Sequence, residues 1–221
     1  MDSSVFDEDY YIRGKESGKS LYERYRWLPE LTLPFARRIA DYLNIDEDDT
    51  ICDFGCARGY LVKAFKQLGY RAFGFDVSDW AIKNVDQEVA GRCWLIHKGT
   101  TGVTNFEASS KKFDFVIAKD VLEHICDEEL TRTIDTLMSK ARKAVFVVVP
   151  LSPKDGEPYV VPEYEQDATH VQRRTLGWWV KTLTRPGFCV SACHLVPGIK
   201  QNYAHYHEGN GFITCRREVQ L

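Results

Sequence analysis

The stretch Ile51-Cys52-Asp53-Phe54-Gly55-Cys56-Ala57-Arg58-Gly59-Tyr60 constrains the fold more than any other part of the chain. A short apolar run ends in a turn bounded by two glycines. Leu61, Val62, Phe65 and Leu68 then recur on one helical face until Gly69 stops the pattern. A strand, a tight glycine turn and a helix in that order let main chain pass close to a bound molecule, because glycine has no Cβ to hold it off. The helix that follows offers unpaired N–H groups to a carboxylate or phosphate.

The alternation continues downstream. Residues 71–75 read as a second strand, 80–89 as a helix, 93–97 as a third strand and 113–118 as a fourth. Asp127 reads as the N-cap of a helix whose face carries Leu130, Ile134, Leu137 and Met138, and residues 144–149 form a fifth strand stopped by Pro150. Strands alternating with helices of this length predict an α/β fold with a parallel sheet covered on both faces. Upstream, Phe35, Ala36, Ile39, Ala40 and Leu43 give an amphipathic helix over 29–43. Residues 151–168 form a long, proline-bearing connection of the kind that carries function. A Trp-rich helix at 176–183, with Trp178 and Trp179 as core and cap packing, precedes strands at 189–196 and 212–216. The first 26 residues are polar and tyrosine-rich with no visible period, and read as a mobile arm or lid.

Composition closes off several classes. The 221 residues make one domain with a substantial core. With 29 Lys plus Arg against 32 Asp plus Glu, no global positive field draws the chain to nucleic acid or anionic membrane. No apolar run reaches the roughly 20 residues of a spanning helix. The segment from Met1 to Asp9 carries acid where a signal peptide carries base, so residence in the cytoplasm is expected. The seven cysteines are odd in number, and Cys52, Cys93, Cys189 and Cys215 sit in strand-like runs that suit reduced, packed thiols. No metal site is expected. Cys52-x3-Cys56 and Cys189-x3-Cys193 lack partner pairs, and His205-Tyr206-His207 has no clear third ligand and reads as loop.

At the end of the second strand, Phe75-Asp76-Val77-Ser78 places an acid 23 residues after Asp53, where a carboxylate can accept hydrogen bonds from both hydroxyls of a ribose. The turn lacks the middle glycine of the Gly-x-Gly-x-x-Gly pattern that pyrophosphate demands, which argues against a nicotinamide dehydrogenase.

These residues resemble the class I S-adenosylmethionine-dependent methyltransferases. Asp53, Gly55 and Gly59 match the first motif of that family, with Ala57 in place of its middle glycine. Gly74-Phe75-Asp76-Val77-Ser78 with Trp80-Ala81-Ile82 is similar to the second. Lys112 to Ile125, including Lys119-Asp120-Val121-Leu122-Glu123-His124, is similar to the fourth-strand motif. The resemblance spans about residues 50 to 150. It implies a Rossmann-like, doubly wound, mostly parallel seven-stranded sheet with an antiparallel last strand, and S-adenosylmethionine as cofactor with S-adenosylhomocysteine as product. It implies that Gly55 and Gly59 border the methionine moiety, with Cys56 in the same turn, and that Asp53 orders the turn. It further implies that Asp76 holds the ribose, that Val77 and Trp80 lie near adenine, and that main chain around Lys119 faces the donor's amino group. The family's Gly-Asp after the third strand is replaced here by His97-Lys98-Gly99-Thr100-Thr101.

The resemblance divides the chain into an arm at 1–28 and a methyltransferase domain at 29–221, whose donor-binding core lies at about 50–150 and whose acceptor side lies at 151–211. For a hydroxyl acceptor, a group titrating near neutral pH helps remove the proton, and His124 and His170 are the candidate catalytic residues. The motifs of base-amine, cytosine-carbon and protein-arginine methyltransferases are absent, which leaves a small-molecule, sugar or lipid-precursor acceptor methylated on oxygen or nitrogen, with no large nucleic acid or membrane partner. Two rivals stay open: a non-catalytic partner with this fold, and an aminopropyltransferase.

Overall fold

Residues 3–97 and 103–218 are described by a computed structural model. In chain order the elements are α1 (Glu8–Ile12), α2 (Gly14–Ser17), α3 (Pro29–Leu43), β1 (Thr50–Phe54), α4 (Tyr60–Gln67), β2 (Arg71–Asp76), α5 (Asp79–Lys83), β3 (Cys93–Leu95), α6 (Asn105–Ala108), β4 (Phe113–Lys119), α7 (Asp127–Lys140), β5 (Ala141–Pro150), α8 (Leu176–Leu183), β6 (Phe188–Cys193) and β7 (Asn210–Arg217). The strands form one seven-stranded sheet in the order β3-β2-β1-β4-β5-β7-β6. Strands β1 to β5 pair in parallel, and β7 runs antiparallel to both β5 and β6. The expected α/β doubly wound sheet with an antiparallel last strand is therefore what forms, and that last strand lies inside the sheet.

Alternation along β5 shows how both faces are filled. Ala144, Phe146 and Val148 join the core under α3 and α4, while Val145, Val147 and Val149 join the core under α7 and α8. A strand buried on both sides needs an uninterrupted apolar run, which is what 144–149 supplies.

Several local expectations are corrected. The helix expected over 80–89 stops at Lys83, and a 3-10 turn, Gln87–Arg92, follows. Asp86 holds that break by accepting the N–H of Glu88 and the ammonium of Lys63 at 3.0 Å. Strand β3 ends at Leu95 because the Asn105 side chain takes over the ladder, donating to the Leu95 carbonyl and accepting the His97 N–H. Asp127 is inside α7 rather than its cap, its carboxylate held by Gln172 and Arg174. Cys189 is exposed, whereas Cys52, Cys93 and Cys215 are buried. No helix among the described residues is long and apolar enough to cross a membrane.

The N-terminal arm has helical structure the sequence did not announce. Asp7 caps α1 through the Tyr10 N–H, and Tyr10, Tyr11 and Ser20 are buried. Tyr11 stacks on Trp80 with ring centroids 5.4 Å apart, the Ser78 hydroxyl donates to the Phe6 carbonyl at 2.6 Å, and Arg58 donates to the Tyr25 carbonyl. The aromatics that lacked a partner in sequence find one in the mouth of the sheet.

Candidate active site

Beyond the carboxyl ends of β1, β2 and β4 lies a cavity of about 560 Å³, within the range of small-molecule and cofactor sites. One end is built from main chain. Gly55, at φ +82, follows β1 directly, and a Cβ there would sit 2.3 Å from a Val121 methyl carbon. Only glycine lets this turn pass under the end of β4. Ala57 is also left-handed, at φ +47, and its N–H donates to Asp76 Oδ2 at 2.7 Å. Asp76 Oδ1 accepts the Ser78 N–H at 2.7 Å. The Val77 amide also bonds this carboxylate, and with about four lone-pair sites Asp76 still retains acceptor capacity toward the cavity it lines. Burial raises the Asp76 pKa against the pull of these amides.

Of the residues singled out from sequence, Gly55, Asp76, Val77 and His124 line the cavity. Gly59 instead caps α4 at φ +74, and a Cβ there would meet the Cys93 sulfur at 2.8 Å. Cys56 is a core thiol packed against Gly74. Asp53 is buried behind the turn, where burial pushes its pKa up to about 7 although Lys119 pulls it down. Trp80 meets the cavity only through Tyr11, which stacks on it and lines the wall. The Lys119 ammonium pairs with Asp120, and Asp120 is the residue in the wall. Of the departure at 97–101, His97 lines the cavity, and residues 98–101 lie outside the described residues.

The other end is built from side chains. His124, on the 3-10 turn Leu122–His124 after β4, lines the wall, and His170, which does not, packs against it with ring centroids 4.7 Å apart. The Thr169 hydroxyl donates to Asp167 Oδ1 at 2.6 Å, so its oxygen accepts from His124 Nδ1 at 2.7 Å. His170 Nδ1 donates to the Tyr164 carbonyl at 2.9 Å. Both imidazoles therefore carry their proton on Nδ1. Burial, then the neighbouring His170, lowers the His124 pKa to about 4, and burial lowers that of His170. Both are neutral at pH 7, but a base of pKa near 4 is too weak to suit proton abstraction there.

Three residues at this end had no signal of their own in sequence. Glu123 is 1% exposed, with neither carboxylate oxygen hydrogen-bonded, and burial followed by the Asp120 charge drives its pKa well above the ordinary value. Asp120 is held low, against its burial, by Lys119 and by Lys200 at 2.5 Å. Asp167 Oδ2 accepts the Tyr10 hydroxyl at 2.9 Å, tying the arm to the histidine end. His205 and His207 are exposed on a turn before β7, as the loop reading expected.

The sheet order, the glycine turn and the buried acid after β2 define an α/β domain of the class I S-adenosylmethionine-dependent methyltransferase fold. A family model described as a methyltransferase domain matches residues 23–187, and the chain belongs to that family. Comparison with curated protein sequences finds no significant match. Among solved structures, magnesium protoporphyrin IX methyltransferase of Synechocystis PCC 6803 with bound SAM superposes with a TM-score of 0.60 at 17% identity, over 99% of this chain and 98% of that one. A SAM-dependent methyltransferase from Archaeoglobus fulgidus gives 0.57 at 18% identity, over 86% and 95%. The Burkholderia thailandensis 1,6-didemethyltoxoflavin-N1-methyltransferase, with that compound and S-adenosylhomocysteine bound, gives 0.58 at 15% identity, over 86% and 80%.

Proposed function

We propose that this chain transfers a methyl group from S-adenosylmethionine to an oxygen or nitrogen of a small-molecule acceptor. The observation that carries the reading is the main-chain end of the cavity: Gly55 leaves room for close approach, and Asp76, held by backbone amides, lines the cavity with acceptor capacity to spare. Asp76 would hold the ribose, Val77, Ile96 and Phe106 would flank adenine, and the Gly55 turn would border the methionine portion. The donor supplies a methyl group on a sulfonium, and displacement there needs the acceptor held in line with water excluded. Tyr10, Tyr11 and Phe6 serve that exclusion as a lid, and His124 and His170 stand at the acceptor end. Trp80 supports the lid, Asp53 and Lys119 set the charge behind the turn, and Cys56 and Gly59 act through packing.

A small-molecule acceptor is supported by the toxoflavin methyltransferase of the same fold, whose structure holds 1,6-didemethyltoxoflavin together with S-adenosylhomocysteine. Calorimetry with S-adenosylmethionine and S-adenosylhomocysteine tests the donor assignment. Micromolar binding that weakens at least tenfold in Asp76→Ala is expected, since hydrogen bonds to a charged group contribute about 1.5–3 kcal/mol. No binding of either compound at tens of micromolar overturns the reading and leaves the non-catalytic partner in its place.

A further inference from the structure

We propose that Glu123, His124 and His170 bind one divalent transition-metal ion at the acceptor end of the cavity. Each offers a ligand atom that is buried, and the three atoms lie within 4.8 Å of one another. Metal bonds of about 2.1 Å bring such atoms to roughly 3–3.4 Å apart, a contraction of at most about 1.5–2 Å that side-chain rotation supplies.

Hydrogen bonding prepares both histidines. His124 Nδ1 gives its proton to Thr169, whose own hydroxyl proton is committed to Asp167. His170 Nδ1 gives its proton to the Tyr164 carbonyl. Each ring is thereby fixed in the tautomer whose Nε2 lone pair is free, which is the arrangement outer partners impose on metal-bound histidine. Glu123 supplies the second, independent sign. A carboxylate buried without a hydrogen-bond partner costs several kcal/mol unless it is paired or coordinated. Lys119 and Lys200, the nearby cations, are directed to Asp120.

Two imidazole nitrogens and one carboxylate suit manganese, iron, cobalt, nickel or zinc over calcium or magnesium, and leave coordination positions open. Of the three, His124 is in the cavity wall, so the ion would sit at the border of the cavity. A hydroxyl-bearing acceptor that coordinates there is the substrate class the site would favour. That last step rests on the methyl-transfer reading; the metal site does not. It replaces the expectation of no metal, which considered only Cys-x3-Cys spacings and His205/His207.

The test is titration of the chelator-stripped, full-length protein with Mn²⁺, Co²⁺ and Zn²⁺ separately, by calorimetry and, for Co²⁺, by visible absorption. One equivalent per chain is expected, with affinity falling at least 100-fold in Glu123→Gln and in His170→Asn, about tenfold in Thr169→Val, and not at all in His205→Ala/His207→Ala. Metal-free Glu123→Gln should melt above the wild type while losing the rise in Tm that metal gives, an outcome separate from misfolding. Absence of stoichiometric binding by any of the three ions at 100 µM overturns the proposal, as does wild-type affinity in folded Glu123→Gln and His170→Asn. S-adenosylhomocysteine binding is measured on the same samples, so loss of the donor reading and loss of the metal site register separately.

Discussion

The two ends of the cavity are made by opposite means. At the donor end, Gly55, Ala57 and Asp76 lie within 22 residues of one another, and their geometry is set by backbone: left-handed turns and amides bound to one carboxylate. At the acceptor end, Phe6, Tyr10, Asp120, Glu123, His124, Asp167 and His170 come from three separate segments and are joined by side-chain contacts. A backbone-built site depends on spacing and tolerates few substitutions. A side-chain-built site can change residue by residue on an unchanged sheet, which suits recognition of the variable partner in a transfer reaction.

The largest expected effect lies behind the donor turn. Asp53 has a pKa near 7 in the folded chain and near 3.8 in the ordinary case, so between these values the folded state holds more protons than the unfolded one. Stability therefore falls as pH rises from about 4 to 7, and the full penalty, at most about 4 kcal/mol for three pKa units, applies above pH 7. Asp53→Asn should flatten this component. Denaturant melts of both proteins from pH 4 to 8 check it, and parallel curves would show that Lys119 already neutralises the buried acid.

Next comes Gly55→Ala, which combines a disfavoured φ of +82 with a Cβ 2.3 Å from Val121 Cγ2. A loss of about 3 kcal/mol is expected from strain plus overpacking. Gly55→Ala/Val121→Ala should recover the packing share but not the backbone share. If the double variant is no better than the single, close passage under β4 is not what the glycine serves.

At the acceptor end, Tyr10→Phe removes the hydroxyl that Asp167 accepts at 2.9 Å. Leaving that buried oxygen short of a donor should loosen the arm by about 2 kcal/mol, which corresponds to roughly thirtyfold faster tryptic cleavage at the exposed Arg13 and Lys15 when closure outpaces cutting. Unchanged cleavage would mean that Tyr11 on Trp80 and Phe6 on Ser78 hold the arm without it.

The contrast between the ends also explains what the sequence could and could not convey. All seven strands were legible because apolar runs such as 144–149 end at glycine, proline or a polar turn, and the turn through Gly55 and Gly59 and the acid Asp76 stood out because a fixed backbone path demands fixed spacing. Helices of four or five residues, such as α1 and α2, are too short to show a period, so the arm appeared structureless. Glu123 stood beside His124 in plain view, yet nothing local reveals that its carboxylate is buried without a partner, or that a histidine 47 residues later closes on it. The break at Lys83 depends on Lys63 and Arg58 reaching across to Asp86 and Asn84, a tertiary cause that helical propensity cannot contain.

The smallest effect tests the comparison at its most delicate point, Ala57. A left-handed alanine costs about 1–2 kcal/mol relative to the right-handed form, and glycine would relieve it. Against this, glycine loses about 0.5–1 kcal/mol more backbone entropy on folding, and the Ala57 methyl, packed with Tyr10, Tyr11 and Ala81, contributes about 0.8 kcal/mol. The opposing contributions nearly cancel, so Ala57→Gly should shift stability by no more than about 0.5 kcal/mol and donor affinity by less than twofold. Ala57→Val has no such compensation, since a β-branched residue pays the same left-handed strain with added crowding, and should cost about 2 kcal/mol. A tenfold loss of S-adenosylhomocysteine affinity in Ala57→Gly, with stability unchanged, would place the methyl in the donor's own contacts and end the claim that this half of the site is made by main chain.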